Sequence, residues 1–305
     1  MNNKRGFEMS FSWLFGIIIG AAILFLAIYA VTTMIGNEEE LQGAKTSKEI
    51  GILLSPLETG FESSKTSSFT MPVETKIYNS CNDFGTFGRQ LISVSQKNLG
   101  KWTETDIEVG FSNKYIFSPR EVEGKKFFIF SKPFFFPYKV SDLIYMTSAE
   151  KDYCFISAPG EIEEELENLN QENIFNDREN FPEECIEICF SGNCDIKVDI
   201  GREKVEKNDQ TLYFSGEALM YAAIFGDKQT YECTLKRLML RAQELANLYD
   251  DKARLVQSNN CNSNLELVSF SNKLNLIENS EDLNLVVSDM EDLQNKNEAA
   301  ICKLW

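Results

Sequence analysis

The chain has 305 residues, of which 43% are hydrophobic and 12% aromatic, and this composition excludes a disordered protein. Its formal net charge is −17, and so acidic a surface repels phosphate backbones, which excludes nucleic acid as an expected partner. The chain contains no histidine. This absence excludes Ser-His-Asp triads, Cys-His pairs and histidine zinc motifs as its chemistry.

The N-terminal part of the chain predicts a transmembrane helix. Twenty-five residues from Phe11 to Ile35 carry no charge, and as a helix they would span about 38 Å, more than the ~30 Å core of a bilayer. A cleaved signal peptide is the alternative, but its apolar region is usually shorter and ends at an A-x-A-like site, which is missing here. We expect a helix at 11–36 that contacts membrane lipid.

The charges on either side of this segment predict its orientation. Lys4 and Arg5 precede it, and Glu38, Glu39 and Glu40 follow it. By the positive-inside rule, residues 1–10 are a cytoplasmic tail and everything after the helix lies outside the cell membrane. The outer part then carries a net charge of −18, since the first 36 residues contribute +1.

Small residues inside the apolar segment indicate a surface for helix association. Gly16 and Gly20 are four positions apart, and Ser12 lies one turn earlier. Small residues at this spacing let two helix backbones approach closely in lipid. Ordinary lipid-facing glycines are the alternative interpretation.

The remaining chain predicts an α+β fold with a mixed or antiparallel β-rich domain. Helical spacing and a linker occupy 37–66, with the small polar run 63–70 as the boundary. Strand patterns dominate 67–216, interrupted by an acidic helix after Pro159. The predicted strands include Lys126–Phe130, Leu143–Ser148, Tyr153–Ser157, Ile186–Phe190 and Asp195–Ile200.

The spacing of turn residues and of apolar residues predicts two further features, a hairpin and a helical unit. The last two of those strands are separated by a short Ser-Gly-Asn turn, which predicts a hairpin. Residues 217–305 change to a helical period and predict a three-helix unit. Its first helix runs from Lys228 to Gln257 with Asp227 as the N-cap, the second covers Leu265 to Ile277, and the third about Glu281 to Cys302.

Eight cysteines, all on the outer side of the predicted span, indicate structural disulfides in an oxidising compartment. Antiparallel helices bring Cys261 and Cys302 to the same end of the helical unit, which predicts that bridge. Loop length favours a Cys189–Cys194 pair, although strand alternation places the two on opposite faces. Metal binding and a redox thiol are the alternatives for the cluster of three around residue 190. Partners are left open for Cys81, Cys154, Cys185 and Cys233.

Residues 127–138 are unusually aromatic, with seven rings in twelve positions. A buried core strand is the first interpretation. Pro133 and Pro137 favour an edge or loop, so the second interpretation is a protein interface. Recognition of a sugar or small ligand is the third. The interface residues would be Phe134, Phe135, Phe136 and Tyr138.

The N-terminus resembles archaeal pilin-like proteins. Lys4, Arg5 and Gly6 followed by Phe7 and the apolar run are similar to their short basic segment, glycine cut site and hydrophobic helix. The resemblance covers about 35 residues and implies cleavage after Gly6 and packing of the helix into a filament core. It departs in one place, because the usual glutamate at the fifth position after the cut is replaced by Phe11.

Together these patterns predict a membrane-anchored surface protein whose disulfide-stabilised outer domain binds or scaffolds other proteins, including copies of itself. The alternatives are a pilin-like filament subunit and an outer enzyme that uses carboxylates or a cysteine. We find no nucleotide, metal or calcium motif in the sequence and therefore expect no catalytic residue, no cofactor and no metal site.

Overall fold

The computed structural model describes residues 11–53, 65–98, 100–103, 107–257 and 265–305. The helices are α1 (Phe11–Leu53), α2 (Gly160–Leu169), α3 (Gly216–Phe225), α4 (Lys228–Gln257), α5 (Leu267–Leu274) and α6 (Val287–Ala299), with 3-10 helices at Arg178–Asn180 and Ser280–Leu285. The strands are β1 (Lys65–Asn82), β2 (Arg89–Asn98), β3 (Lys101–Trp102), β4 (Val109–Phe111), β5 (Ile116–Phe117), β6 (Glu121–Phe135), β7 (Lys139–Ser148), β8 (Tyr153–Ile156), β9 (Ile174–Phe175), β10 (Ile186–Cys189), β11 (Ile196–Asp199), β12 (Lys204–Lys207) and β13 (Gln210–Tyr213). The predicted α+β class is confirmed.

The first sheet has the strand order β3-β2-β1-β6-β7-β5, with β4 also paired to β2. Its pairs are antiparallel except for β5 and β7. Alternate side chains of β6 belong to different cores: Phe127 and Ile129 face one side, and Phe130 faces the other. Both faces of this sheet are therefore buried along β6, which explains why that strand is so rich in apolar residues.

The second sheet has the order β13-β12-β11-β10-β8-β9. Here the predicted hairpin is wrong, because β10 and β11 run parallel, with Ile188 opposite Ile196. Residues 190–195 return the chain to the end of the sheet where β10 began, so that β11 runs in the same direction as β10. Apolar alternation cannot distinguish the two directions, since it reports only which face of a strand is buried.

The larger core lies between the two sheets and the C-terminal helices. Helix α3 is apolar on all sides and is buried from Ala218 to Phe225. Phe225 contacts Phe130 of the first sheet and Tyr153 of the second, with ring centroids 5.5 Å and 5.1 Å apart. The C-terminal helices thus share a single core with both sheets.

The long helix α4 has the predicted bounds and the predicted cap. One carboxylate oxygen of Asp227 accepts hydrogen bonds from the backbone N–H groups of Gln229 and Thr230, at 3.0 and 3.2 Å. The third predicted helix is divided, because a 3-10 helix with an Asn279 capping box precedes α6.

The predicted linker at 63–70 is largely a strand. β1 begins at Lys65, and its residues up to Thr70 pair with β6 between Lys126 and Ser131. Small polar residues resemble a linker, but pairing with a neighbouring apolar strand overrides that local preference.

Candidate functional site

The exposed apolar part of α1 is the most distinct functional feature of the molecule. Trp13–Val31 is a 19-residue segment with a mean hydropathy of 2.7, and none of it is buried against the protein. A helix of that length spans about 28 Å, which matches the hydrocarbon thickness of a bilayer. Together with the disulfides described below, this helix fits a membrane-anchored domain.

The predicted association surface lies on this segment. Gly16 and Gly20 are in α1, and a Cβ atom added to either would meet no atom within 4 Å. Ser12 is also in α1, but its side chain lies outside the described residues. Both glycines therefore leave room for another helix or for lipid, and association remains a prediction.

The C-terminal end of α1 packs against the first sheet of the domain. Ser47 and Ile50 are fully buried, and Ile50 joins the core formed by Ile77 and Ile92 on the first sheet. A Cβ atom added to Gly51 would lie 2.0 Å from the ring carbon Cζ of Phe111. The close approach of helix and sheet requires a glycine here, so α1 is docked at this point by complementary packing.

Three disulfides connect the described residues. Cys81 of β1 is bonded to Cys233 of α4, Cys154 of β8 to Cys185, and Cys189 of β10 to Cys194. Such bonds persist in oxidising compartments, which agrees with a location outside the cytoplasm. The three cysteines around residue 190 are all in disulfides and so offer no thiolate to a metal.

The predicted Cys261–Cys302 bridge involves residue 261, which lies in 258–264, outside the described residues. Cys302 follows α6 and is disulfide-bonded. Cys189 and Cys194 have Cα atoms 6.1 Å apart, within the usual range. The conflict with strand alternation does not arise, because Cys194 lies in the connection before β11 and not in a strand.

The aromatic stretch belongs to the core. The interface prediction is wrong for Phe134, Phe136 and Tyr138, which are buried, whereas Phe135 is 50% exposed. The Tyr138 hydroxyl donates to the Ala242 carbonyl at 2.5 Å. Pro133 lies in β6 opposite Asp142 and beyond Lys65, the first described residue of β1, which pairs with Ser131. Pro133 therefore lies in the paired part of β6 and β7 and not in a loop.

A fully buried arginine next to the longest-range disulfide was missed from the sequence. Arg237 donates to Gln90 Oε1 and to the carbonyls of Phe87, Phe111 and Ser112, at 3.0 to 3.4 Å. Burial lowers the pKa of its guanidinium to about 10, so it stays charged at neutral pH. The available signal was the position of Arg237 in the sequence, between apolar residues that the helical repeat of α4 places in the core.

A second missed cluster connects β6, α2 and α3. Lys132 Nζ lies 2.7 Å from Glu165 Oε2 and 2.7 Å from Glu217 Oε2, and the Tyr221 hydroxyl donates to Glu165 at 3.0 Å. Burial, and then the hydrogen bond with Glu165, raise the pKa of Glu217 to about 7. A lysine within an aromatic run was the available signal, because buried charges require partners.

A third, partly buried cation lies at the end of a helix. Lys207 Nζ donates to two carbonyls in the last turn of α3, at Ala223 (2.6 Å) and Ile224 (2.9 Å), and to the carbonyl of Gly226, which follows the helix. Burial lowers the pKa of Lys207 to about 8. Lys207 and Asp227 line a groove of about 370 Å³ beside Tyr153 and Phe225. Because all three ammonium protons of Lys207 are used within the protein, this lysine acts as a helix cap.

Among the described residues, no group of three or more His, Cys, Asp or Glu side chains could hold a metal ion. No family model matches the chain, and no characterised protein or solved structure is significantly similar to it. The functional argument therefore rests on the chain's own residues.

Proposed function

We propose that this protein is a single-pass membrane protein, with its N-terminus in the cytoplasm, whose disulfide-bonded outer domain binds other proteins. The observation that carries the proposal is the continuity of α1, whose apolar segment Trp13–Val31 is exposed while Ile50 and Gly51 are in the domain core. A single helix thus connects a surface suited to lipid with a stabilised domain.

Anchoring is tested by placing charge in the middle of the apolar segment. Ile23→Lys combined with Leu26→Lys should release the chain from the membrane fraction, because each central lysine opposes insertion by roughly 3 kcal/mol. Leu276→Lys is the matched control, since Leu276 is an exposed leucine of the domain. If alkaline carbonate extracts the wild-type protein, the membrane anchor is wrong.

Orientation is tested by adding protease to intact cells. Residues beyond 37 should be cleaved from outside, because the basic flank at Lys4 and Arg5 holds the N-terminus inside. Cleavage only by protease admitted to the cytoplasm would show that the proposed orientation is wrong and that the domain lies inside.

Protein binding is supported by the net charge of −18 on the outer part and by the exposed ring of Phe135. An acidic surface attracts partners with basic patches, and an exposed aromatic residue is a common interface anchor. After cross-linking in cells and purification in mild detergent, a specific protein should accompany the chain. Phe135→Ala should reduce its recovery, whereas Ile301→Ala at another exposed site should not. Recovery of the chain alone would contradict this part of the proposal.

A pilin-like filament subunit is the second candidate function. The exposed apolar part of α1 supports it, because that part is free of other described protein and has open space at Gly16 and Gly20. The cut site after Gly6 lies outside the described residues. N-terminal sequencing discriminates the two candidates: Phe7 as the first residue supports the filament, and Met1 or Asn2 supports the anchor.

A further inference from the structure

The connection between the first two strands is held in place by α4. Residues 83–88 join β1 to β2 and are called the β1–β2 loop below. Cys81, near the end of β1, is bonded to Cys233 of α4, and one turn later Arg237 Nε donates to the Phe87 carbonyl at 3.0 Å. Residues 233 and 237 share one face of the helix, because they are four positions apart. The same face of α4 thus holds the chain on both sides of the loop tip.

A glycine closes the loop directly onto the buried arginine. Gly88 has a φ of +57°, and a Cβ atom there would lie 2.4 Å from the carbonyl oxygen of Asn82 and 2.9 Å from Arg237 Cγ. Glycine permits both this backbone conformation and this close approach. A covalent bond, a buried hydrogen bond and close packing therefore fix the loop, and little conformational entropy is left to lose when another molecule binds it.

The loop presents an exposed aromatic ring. Phe84 is 75% exposed, more than any other aromatic residue that the structure describes. Aromatic rings contribute strongly to protein interfaces, because each buries a large apolar area and has few rotatable bonds. A ring of this kind on a rigid loop is suited to anchor another protein.

Two carboxylates lie beside the ring on the α4 side. Lys236 Nζ is 3.9 Å from Asp83 Oδ2 and 2.5 Å from Glu278 Oε2, and the two acidic side chains are 58% and 65% exposed. One ammonium group balances only one of these two charges. Arg89, the first residue after the loop, extends along Gly110 of β4. The surface between α4 and the loop is therefore acidic and attracts basic groups.

The position of the loop favours a protein over the bilayer as its partner. Gln90, two residues after the loop, pairs with Phe111, and the Phe111 ring packs on Gly51 of α1. Gly51 lies 20 positions after Val31, the end of the apolar segment, and at a rise of ~1.5 Å per residue this corresponds to about 30 Å. In the proposed anchor, α1 thus carries the loop well away from the lipid.

We propose that the β1–β2 loop is a docking site for another protein, which receives Phe84 in an apolar pocket and places lysine or arginine side chains beside Asp83 and Glu278. This inference rests on the proposed binding of other proteins and names the surface and the chemistry that recognises it. A second copy of the chain is disfavoured as the partner, because the outer part carries a net charge of −18 and two such surfaces repel each other.

The first experiment replaces Phe84 with photo-reactive benzoylphenylalanine in the full chain in intact cells. Irradiation should join position 84 to one other protein, through a peptide that has apolar residues with lysine or arginine close by in that protein. The same replacement at Ile301, which is fully exposed, should not give this product. Cross-links to a second copy of the chain or to lipid, or none above the level of the Ile301 control, would overturn the proposal.

The second experiment measures binding of that purified protein to the full chain in mild detergent. Phe84→Ala should raise the Kd by about 30-fold or more, as the loss of an interface anchor does, and should leave the melting temperature unchanged, since the ring is exposed. Ile301→Ala should change neither quantity. An unchanged Kd would overturn the docking site, and a lower melting temperature would show that the ring packs within the domain and would overturn it as well.

The acidic surface is tested with Asp83→Asn combined with Glu278→Gln. This double variant should weaken binding several-fold at low salt and much less at about 0.5 M salt, because exposed charges are screened. The same Kd as wild type at low salt would overturn the proposed basic rim of the partner.

Failure of this inference is separable from failure of the proposed function. A protein that is recovered with the chain in a Phe135-dependent way, without any cross-link at position 84, would overturn the loop as the site and leave protein binding in place. Recovery of the chain alone would contradict both.

Discussion

At the scale of single residues, the domain contains one fully buried cation, Arg237, and two partly buried ones, Lys132 and Lys207, next to apolar packing. The charged end of each side chain contacts several protein acceptors, so charge-assisted hydrogen bonds compensate for the water that each cation loses. Sequence patterns located the strand that contains Lys132 and the helix that contains Arg237, but not the roles of these residues, and they located neither β12 nor α3 around Lys207. Their partners come from distant parts of the chain, such as Gln90 for Arg237, and local periodicity contains no information on such pairs.

Replacing Arg237 tests how much one of these cations contributes. Arg237→Ala should lower the free energy of unfolding by roughly 3–5 kcal/mol, because Gln90 and three carbonyls lose their buried donor. Denaturant unfolding followed by tryptophan fluorescence measures the change.

Arg254→Ala is the matched control on the same helix. The Arg254 side chain is 70% exposed and pairs with Asp250 at 2.6 Å, and exposed pairs of this kind contribute less than about 1 kcal/mol. Equal effects of the two substitutions would show that Arg237 is not a buried centre of hydrogen bonding.

At the scale of elements, the sequence predicted the long helices and the strands β6, β7, β8, β10 and β11, because their apolar patterns are strong. The bounds of α4 were predicted from its repeat, and β6, β7 and β8 from their β-branched and aromatic residues. Strand direction and neighbours were not predictable, as β10 and β11 show, since pairing is decided by contacts distant in sequence. The same limit applies to residues 65–70, whose small polar composition hides a strand.

The aromatic strand β6 provides a comparison of buried and exposed rings. Phe130 packs against Tyr145 with ring centroids 4.5 Å apart, and Phe130→Ala should lower the free energy of unfolding by roughly 3–5 kcal/mol. Phe135→Ala on the same strand should change it by less than about 1 kcal/mol, since its ring is half exposed. Similar losses from both would contradict the description of β6 as a core strand.

The junction of α1 with the first sheet is tested at Gly51. A Cβ atom at this position overlaps the Phe111 ring, so Gly51→Ala should destabilise the domain by about 1–3 kcal/mol despite the better helix propensity of alanine. Thermal unfolding in detergent measures the effect. Gly16→Ala, where a Cβ atom meets open space, should leave the melting temperature unchanged. A neutral Gly51→Ala would show that the helix is not docked there.

At the scale of the whole molecule, the disulfides connect residues at very different separations along the chain. The Cys81–Cys233 bond has a sequence separation of 152 residues, whereas Cys189–Cys194 spans 5. The first bond restricts the unfolded chain far more than the second, because the entropy of loop closure increases with loop length.

Removing these bonds separately should therefore give unequal losses. Replacing Cys81 and Cys233 with alanine should cost up to about 5 kcal/mol, and replacing Cys189 and Cys194 about 2 kcal/mol, by the chain-entropy estimate. Denaturation midpoints of the two double variants under non-reducing conditions give the comparison. A larger loss from the short loop would mean that local packing, and not chain entropy, determines the contribution of these bonds.

For the membrane anchor proposed above, the continuity of α1 also sets a distance between the bilayer and the domain. Ser47, which is buried at the domain, lies sixteen positions after Val31, the end of the apolar segment, and at a rise of ~1.5 Å per residue this corresponds to about 24 Å. That is about three Debye lengths at physiological ionic strength, where the screening length is ~8 Å. Anionic headgroups and the acidic domain would therefore scarcely repel each other, and a small partner could enter the space between them.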